Sequence, residues 1–362
     1  MKIDDMQRRL APVLRPAAAV YGGIMRLRAI RYRTKGLAFP YRAACPVVSV
    51  GNISWGGTGK TPIVDYLLDR TAKRRLRTVV LTRGYKAAPP ELPFPVSNKD
   101  EPRHAGDEPL MLARRHPDTL VLVDPKRARA AAWAEKNAAP QLIFLDDGMQ
   151  HLAIERDLDL VLLRPDDLLE NWNRVIPAGT WRENKTALAR ADAFLMKADA
   201  QTLSSLLPVA AKRLKKFSRP FFSFDLKPTG LSRLQPFGKG APHTTPDLDG
   251  KAYAFLCGTG NPTQVERTAS VLLGRNPAQK LLFPDHHDYS ETDAAKAAAF
   301  GLPVVCTAKD AVKLTPLLPC FGDTPVWVLD VRAVFGPSLF TPITFSEWWE
   351  QKLDYLTALK FT

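Results

Sequence analysis

The chain has 362 residues, of which 45% are hydrophobic and 24% charged, a globular composition that excludes disordered and fibrous classes. Its four cysteines include no C-x-x-C pair, which argues against a zinc ribbon or a disulfide scaffold and fits a reducing cytosol. The net charge of +14 indicates an anionic partner, such as nucleic acid, an anionic membrane surface or a phosphorylated substrate.

More than half of this excess charge lies in residues 1–42, which hold ten lysines and arginines against two acids. The apolar stretch among these cations, residues 16–25, is far shorter than the ~20 residues that span a bilayer. No convincing cleavage site marks it as a signal peptide. Basic residues around a short amphipathic segment predict a helix that lies on an anionic membrane surface. A solvated helix packed on the main domain is the alternative.

From residue 46 onward, near-continuous apolar runs alternate with helix-like stretches. Runs buried on both faces and separated by helices predict a parallel sheet covered by helices on both sides. A stretch rich in proline and glycine then interrupts this rhythm before a second, smaller α/β unit. The predicted domains are a basic amphipathic segment at 1–42, a P-loop core at 43–220, an inter-domain connection at 221–250 and a smaller α/β domain at 251–362.

The stretch "SVGNISWGGTGKTP", residues 49–62, predicts a strand, a glycine-rich loop and the start of a helix. Such a loop binds nucleotide phosphates through backbone N–H groups and a helix N-terminus, while Lys60 reaches the β/γ oxygens and Thr61 coordinates Mg²⁺. The usual G-x-x-x-x-G-K-[ST] pattern has glycine where this chain has Ser54. The loop therefore predicts an ATP or GTP site. Its predicted nucleotide contacts are Ser54, Trp55, Gly56, Gly57, Thr58, Gly59, Lys60 and Thr61.

Two acids follow the buried run "LIFL" in "LIFLDDGMQH". Asp146 and Asp147 have the form expected of Walker B carboxylates near Mg²⁺. The simpler interpretation, two acids at the end of a strand, is weak because the apolar run leads directly into them.

Seven motifs occur in the order found in one family: "VGNISWGGTGKTP", "LTRGY", "GDEPLML", "LDDGMQH", "IPAGTWRE", "FPDHHDY" and "TAKDAVKL". On these motifs the chain resembles the tetraacyldisaccharide 4′-kinases of lipid A biosynthesis, from about residue 10 to about residue 335. The resemblance implies transfer of the γ-phosphate of ATP to the 4′-hydroxyl of a membrane-embedded, acylated glucosamine disaccharide 1-phosphate. Serine at position 54 belongs to this family's pattern.

A sugar hydroxyl is a poor nucleophile, so its phosphorylation benefits from a carboxylate that accepts its proton. Asp107, at the start of a predicted helix, suits this role. From the residues alone, an equal interpretation is that Asp107 only interacts favourably with the helix dipole. The resemblance makes Asp107 the catalytic base and pairs it with a histidine of "DHH". That histidine is assigned as His286, with His287 second.

The remaining site assignments rest on the resemblance and on residue chemistry. Carboxylates and arginines are typical ligands of metal ions and phosphates, respectively. Each arginine could equally be a surface cation, and Arg127, within "PKRARA", most easily. His116 is interpreted as a surface residue, and "TAKDAVKL" as bordering the adenine, with Ala308 in place of the usual acid. The assigned metal ligands are Thr61, Asp146, Asp147, Glu108 and Glu183, and the assigned substrate contacts are Asn52, Arg83, Arg127 and Arg182.

The resemblance implies ATP and Mg²⁺ as cofactors, a lipid A precursor as substrate and a monomer on the cytoplasmic face of a Gram-negative inner membrane. One alternative is a membrane-associated regulatory P-loop ATPase that positions other proteins. Its loop usually carries a signature lysine where this chain has Trp55. A nucleic-acid-binding protein is suggested by charge only, because no RNP, helix-turn-helix or finger pattern is present.

Overall fold

The computed structural model describes residues 3–34, 37–236 and 244–358, and for residues 3–9 it describes the backbone only. Lys2 and Lys35 of the predicted basic segment therefore lie outside the described residues, as does the part of the predicted connection at 237–243.

Helices and strands alternate along most of the chain, as the sequence predicts. The α-helices are α1 (Ile3–Arg33), α2 (Lys60–Lys73), α3 (Pro102–Ala105), α4 (Asp107–Arg115), α5 (Arg127–Ala138), α6 (Ala200–Leu214), α7 (Pro262–Leu273), α8 (Glu291–Ala298), α9 (Ala308–Leu314) and α10 (Phe345–Ala358). The strands are β1 (Val47–Asn52), β2 (Thr78–Thr82), β3 (Phe94–Val96), β4 (Leu120–Val123), β5 (Leu142–Asp146), β6 (Leu158–Leu163), β7 (Ala193–Lys197), β8 (Phe221–Arg233), β9 (Thr244–Thr245), β10 (Ala254–Cys257), β11 (Gln279–Leu282), β12 (Val304–Thr307) and β13 (Val326–Leu339).

The described residues fall into two compact units, and the chain passes between them four times. Unit 1 takes its residues from Met1–Arg83, Asp118–Asp225 and Val334–Thr362, and unit 2 from Gly84–Pro117 and Leu226–Ala333.

Unit 1 contains a parallel sheet with the strand order β8-β7-β6-β1-β5-β2-β4. Helices cover both faces of this sheet. On β5, Ile143 and Leu145 pack with the alanines of α5 on one face. Phe144 points the other way and contacts Trp349 of α10, with ring centroids 6.1 Å apart. Both faces are buried, so the predicted parallel sheet with helices on both sides is confirmed.

Unit 2 repeats this architecture on a smaller scale. Its strand order is β11-β10-β12-β13-β8, with β9 antiparallel to β8. Leu256 of β10 packs with α8, whereas Phe255, its neighbour along the strand, packs with α7. The alternation of neighbouring side chains between two faces is the period of two that a strand imposes.

The compact units differ from the contiguous division predicted from the sequence. Residues 84–117, predicted within the P-loop core, belong to unit 2, and residues 334–362, predicted within the smaller domain, belong to unit 1. The segment at 221–250 begins with the long strand β8 instead of a loop. Its first four residues, "FFSF", are buried, and this short apolar run outweighs the proline and glycine that follow.

The amino-terminal segment forms the single long helix α1, although Pro12 and Pro16 lie inside it. Among the described residues, no helix is both long enough and apolar enough to cross a membrane.

Candidate active site

The phosphate loop of unit 1 joins β1, at the middle of the sheet, to α2. Lys60 is the first residue of α2, so the unpaired backbone N–H groups of that helix begin at the end of the loop. Gly59, just before it, has a φ of +90°, in the left-handed region that glycine adopts without strain. A Cβ there would also lie 3.0 Å from the ring of Phe224. The strand–loop–helix geometry predicted from the sequence is present.

Ser54, which replaces the first glycine of the usual pattern, anchors the start of this loop. Its buried hydroxyl donates a 2.7 Å hydrogen bond to Oδ2 of Asp167, whose Oδ1 accepts another, 2.9 Å long, from the indole of Trp181. The backbone N–H of Trp55 donates to the carbonyl of Thr180 at 3.0 Å. A serine at this position therefore ties the loop to the segment around residue 180.

Asn52, predicted to contact the substrate, is fully buried beneath the loop. Its Nδ2 lies 3.3 Å from the hydroxyl of Thr58, and its backbone carbonyl accepts a 3.0 Å hydrogen bond from the side chain of Gln150. These contacts brace the loop from within.

Asp146, the last residue of β5, and Asp147, which follows it, lie at the carboxyl end of the sheet, with Asp147 beside Lys60. Asp146 is buried and accepts a hydrogen bond from Thr82 at 3.2 Å, whereas Asp147 has a φ of +54° that turns the chain sharply. Lys60 Nζ lies 3.6 Å from Asp147 Oδ1, and Arg182 donates to Oδ2 at 2.7 Å. Burial alone would raise the pKa of Asp147, but Lys60 and Arg182 outweigh it and lower that pKa below its usual value. Asp147 is therefore a carboxylate at neutral pH.

These side chains fit a magnesium ion. Thr61, Asp146 and Asp147 supply the oxygen donors that Mg²⁺ prefers. Asp147 Oδ1 is buried and receives no hydrogen bond from the described residues, which suits the approach of a cation. Within the described ranges, no group of three or more His, Cys, Asp or Glu side chains is arranged to hold a metal. Magnesium bound with a nucleotide needs only one or two carboxylates, since phosphates and waters complete its shell.

The three predicted substrate arginines have different surroundings. Arg127 is only 2% exposed, and its Nη1 and Nη2 donate to the carbonyls of Asp124 and Asp146 at 2.6 and 3.2 Å. The interpretation of Arg127 as most easily a surface cation is therefore wrong, because its guanidinium is needed to pair carbonyls inside the unit. Burial lowers its pKa to about 10, so it stays charged at neutral pH. Arg182 donates to the carboxylate of Asp147, and Arg83 is exposed directly after β2.

The two glutamates assigned to the metal have other partners. Glu183 is buried, and its two oxygens accept hydrogen bonds of 2.6 and 3.0 Å from Arg190. Glu108 belongs to unit 2, where its Oε1 lies 4.0 Å from Nζ of Lys309. Arg190 is therefore a structural partner for both oxygens of Glu183.

Unit 2 brings together the predicted base and its histidine. Asp107 is the first residue of α4, where a carboxylate is favoured by the helix dipole, and Gly106 before it has a φ of +84°. His286 Nδ1 lies 3.0 Å from Asp107 Oδ2, although the two residues are 179 positions apart. His286 itself has a φ of +61°, which is uncommon for a residue other than glycine.

His287, the second candidate, points elsewhere. Its Nε2 lies 3.1 Å from Asp293 Oδ2, and its ring stacks on Phe283 with centroids 4.3 Å apart. The geometry therefore selects His286 as the partner of Asp107.

Two lysines of "TAKDAVKL", for which the sequence predicted no role, also lie at this site. Lys309 Nζ lies 3.1 Å from His286 Nε2 and 2.7 Å from Asp285 Oδ1, and Lys313 Nζ lies 3.2 Å from Asp107 Oδ2. Both belong to α9, four residues apart, so they lie on the same side of that helix. This spacing is the signal that could have linked the motif to the Asp107 site.

Two other histidines, His116 and His151, are buried or partly buried. The prediction of a surface His116 is wrong, because it is 7% exposed and closes the carboxyl end of α4 with a backbone bond to Leu112. His151 lies in unit 1, where burial and then the charge of Arg127 lower its pKa to about 4. His151 is therefore a neutral imidazole at neutral pH.

Comparisons with known proteins agree over nearly the whole chain. The family model LpxK, described as tetraacyldisaccharide-1-P 4′-kinase, matches residues 10–345. A tetraacyldisaccharide 4′-kinase from Nitratidesulfovibrio vulgaris is 47% identical over 352 residues, which cover 97% of each chain. One from Oleidesulfovibrio alaskensis is 44% identical over 98% of this chain and 99% of its own. The apo form of LpxK from Aquifex aeolicus, solved in complex with ATP, is 28% identical with a TM-score of 0.72, over 98% of this chain and 100% of its own.

Proposed function

The chain belongs to the tetraacyldisaccharide-1-P 4′-kinase family, and from that premise we propose which of its residues carry out the reaction. It is an ATP-binding kinase of lipid A biosynthesis that acts on the tetraacylated disaccharide 1-phosphate. The roles of its side chains follow from the contacts described above.

The nucleotide phosphates bind at the loop of residues 54–61. The backbone N–H groups at the start of α2 face this position, and Lys60 supplies a positive charge. Lys60 is held beside Asp147 at 3.6 Å. That distance leaves its ammonium close to the loop and available to a phosphate oxygen.

Thr61 and Asp146 would hold the Mg²⁺ that accompanies ATP, with Asp147 beside them. Bound there, the ion neutralises charge on the β- and γ-phosphates. Arg127 holds the backbone carbonyl of Asp146, and Thr82 donates a 3.2 Å hydrogen bond to its carboxylate. Arg83 is the most exposed of the candidate arginines and is therefore the one assigned to the phosphate of the acceptor.

Asp107 acts as the base toward the acceptor. A carboxylate can accept the proton of the 4′-hydroxyl as the sugar oxygen attacks the γ-phosphorus. The observation that carries this proposal is the 3.0 Å contact between Asp107 and His286. This contact holds a carboxylate in place at a helix N-terminus, and the same chain has a phosphate loop.

The activity is tested by transfer of label from γ-labelled ATP to tetraacyldisaccharide 1-phosphate in detergent micelles. Label should enter the lipid and should depend on the acylated acceptor. Turnover of ATP that responds to DNA or to a protein partner, with no label in the lipid, would contradict the proposal.

The amino-terminal helix supports binding to a membrane surface. Its exposed face carries large apolar side chains, Val20 and Leu27 being 65% and 67% exposed, whereas its buried positions carry small ones and Tyr21 is partly buried. A helix packed only for stability would bury the large side chains. Leu14 of the same helix is half-buried. The exposed set is Leu10, Val13, Val20, Ile24, Leu27 and Ile30, and the buried set is Ala11, Ala18 and Gly22.

We propose that the enzyme works on the cytoplasmic face of the inner membrane, where an acceptor with four acyl chains would meet ATP. Apolar side chains of α1 enter the acyl boundary, and its arginines meet anionic headgroups. Electrostatic attraction to anionic lipid contributes roughly 1 kcal/mol of binding free energy per Lys or Arg near the surface, and salt screens it.

Replacing four exposed arginines in the second half of α1 with glutamine should release the protein from anionic vesicles, and raised salt should do part of the same. Co-sedimentation with vesicles measures the effect, and soluble ATP binding should survive because the phosphate loop is intact. The substituted residues are Arg26, Arg28, Arg31 and Arg33.

A control variant with the same loss of charge replaces four exposed lysines elsewhere in unit 1 and should stay on the vesicles. If the arginine variant and raised salt both leave vesicle binding unchanged, and α1 resists protease without lipid, the helix has a structural role only. The control lysines are Lys73, Lys212, Lys215 and Lys216.

A further inference from the structure

His286 is held on both sides of its ring. Nδ1 faces Asp107 Oδ2 at 3.0 Å, and Nε2 faces the ammonium of Lys309 at 3.1 Å. Lys309 is fixed in turn by Asp285, whose Oδ1 accepts a 2.7 Å hydrogen bond from Nζ. The ring of Tyr85 packs beside the imidazole, with centroids 5.2 Å apart.

These contacts determine where the imidazole carries its proton. A lysine ammonium has three donors and no acceptor, so the ring nitrogen that it contacts must offer a lone pair. Nε2 of His286 is therefore the acceptor, and the single proton of the neutral ring is on Nδ1. Nδ1–H then donates to Asp107. A doubly protonated ring would point an N–H at the ammonium, which the geometry disfavours.

Lys313 acts on the carboxylate itself. Its buried Nζ lies 3.2 Å from Asp107 Oδ2 and donates a 2.6 Å hydrogen bond to the carbonyl of His287. Oδ2 thus faces both His286 and Lys313. Within the described part of the chain, Asp107 Oδ1 receives no hydrogen bond. One oxygen is held, and the other is left for an incoming group.

The packing of α4 against α9 maintains this arrangement. Arg114, near the end of α4, donates a 3.1 Å hydrogen bond to the carbonyl of Val312 on α9. The helix that carries the base and the helix that carries both lysines are therefore joined independently of the ion pairs.

We propose that Lys309 and Lys313 are positioning residues: Lys309 fixes His286 as the Nδ1–H tautomer, and Lys313 holds Asp107 Oδ2. Oδ1 then receives the proton of the attacking 4′-hydroxyl. The electron pair of that O–H bond stays on the sugar oxygen, which forms the new bond to phosphorus while the bond to the ADP oxygen breaks. His286 takes no proton, because the nitrogen that faces Asp107 already carries one. The catalytic part of this inference rests on the proposed function, whereas the tautomer does not.

The tautomer can be read without activity. In full-length protein labelled with ¹⁵N-histidine, long-range ¹H–¹⁵N spectra should show His286 protonated at Nδ1 and unprotonated at Nε2. The chain has six histidines, and loss of a signal set in His286→Gln assigns this one. Wild-type His286 protonated at Nε2, or at both nitrogens, would overturn the inference.

Lys309→Met removes the ammonium and keeps the aliphatic stem. The Nε2–H tautomer of His286 should then gain population, and Lys309→Arg, which also has donors only, should keep the wild-type spectrum. Lys280→Met is the matched control, since Lys280 has a carboxylate partner 2.6 Å away and does not touch His286. An unchanged spectrum in Lys309→Met would contradict the proposal, and Lys309→Leu, which also lacks a donor, repeats the test if the methionine variant fails to fold.

Kinetics separate this inference from the function. Lys309→Met should lower kcat by ~10-fold to 10²-fold, the usual worth of a hydrogen bond with a charged partner, with the KM for ATP little changed. Lys309→Arg should recover most of the loss. If the spectra behave as expected while Asp107→Asn keeps full activity, the role of Asp107 as base is wrong and the tautomer stands. A loss of kcat in Lys309→Met without a change in tautomer would reject the positioning role.

Discussion

Replacing Lys60 with alanine is expected to abolish transfer of the γ-phosphate, with a loss of ~10³-fold or more. Removing one preorganised donor to developing charge costs ~10²–10³ in kcat, and this residue also carries a full positive charge. Lys60 is the first residue of α2 and lies 3.6 Å from Asp147 Oδ1, in the part of the loop where phosphate oxygens would be. The measurement is label transfer from ATP to the acylated acceptor.

Thr61→Ala should have a comparable effect for a different reason. It removes the hydroxyl that the proposal gives to Mg²⁺, so raising the magnesium concentration should recover part of its activity but none of the activity of Lys60→Ala. Lys73→Ala, an exposed lysine at the other end of α2, serves as the control and should be unaffected. Near-normal turnover in the Lys60 variant would mean that this loop is not the phosphate site.

The sequence predicts the sheet of unit 1 well because burial on both faces leaves a strong local pattern. All six residues of β1 and all five of β5 are buried, and most of them are apolar. The phosphate loop is equally local: strand, glycines, lysine and helix follow one another without interruption. Such features depend on neighbours in the chain, and a single sequence contains them.

What the sequence does not predict depends on contacts between distant segments. Arg127 reads as a surface cation because basic residues surround it, yet the carbonyl of Asp146, 19 positions later, needs its guanidinium inside the unit. The compact units differ from the predicted domains for the same reason. Residues 84–117 belong to the same unit as strands that begin more than a hundred positions later in the chain. Local composition does not record such pairings.

The site of unit 2 shows the same limit. "DHH" offers two adjacent histidines, and only the turn at His286, with its φ of +61°, directs one to Asp107 and the other to Asp293. The i, i+4 spacing of Lys309 and Lys313 indicates one helix face, but not what that face meets. The resemblance to a family identified the pair, whereas geometry supplied the lysines.

Asp107→Ala should lower kcat by ~10²–10⁴, the usual worth of a general base. The KM for ATP should change little, because the carboxylate is proposed to touch the acceptor and not the nucleotide. Initial rates at saturating acceptor and varied ATP separate the two constants. A variant that loses ATP affinity and keeps kcat would make Asp107 a metal or nucleotide ligand instead.

The double variant of Asp107 and His286 tests whether the pair acts as a unit. If His286 works only by holding Asp107, its loss should cost nothing more once the carboxylate is gone, so the double loss should be much smaller than the product of the single losses. The matched control is the other carboxylate–histidine pair of unit 2, Asp293→Asn with His287→Gln, whose members are 3.1 Å apart. Those substitutions should leave kcat within a few-fold of wild type because Asp293 caps α8 and His287 contacts Asp293 instead of Asp107. Losses at Asp107 and His286 that simply multiply would mean that the 3.0 Å contact has no part in catalysis.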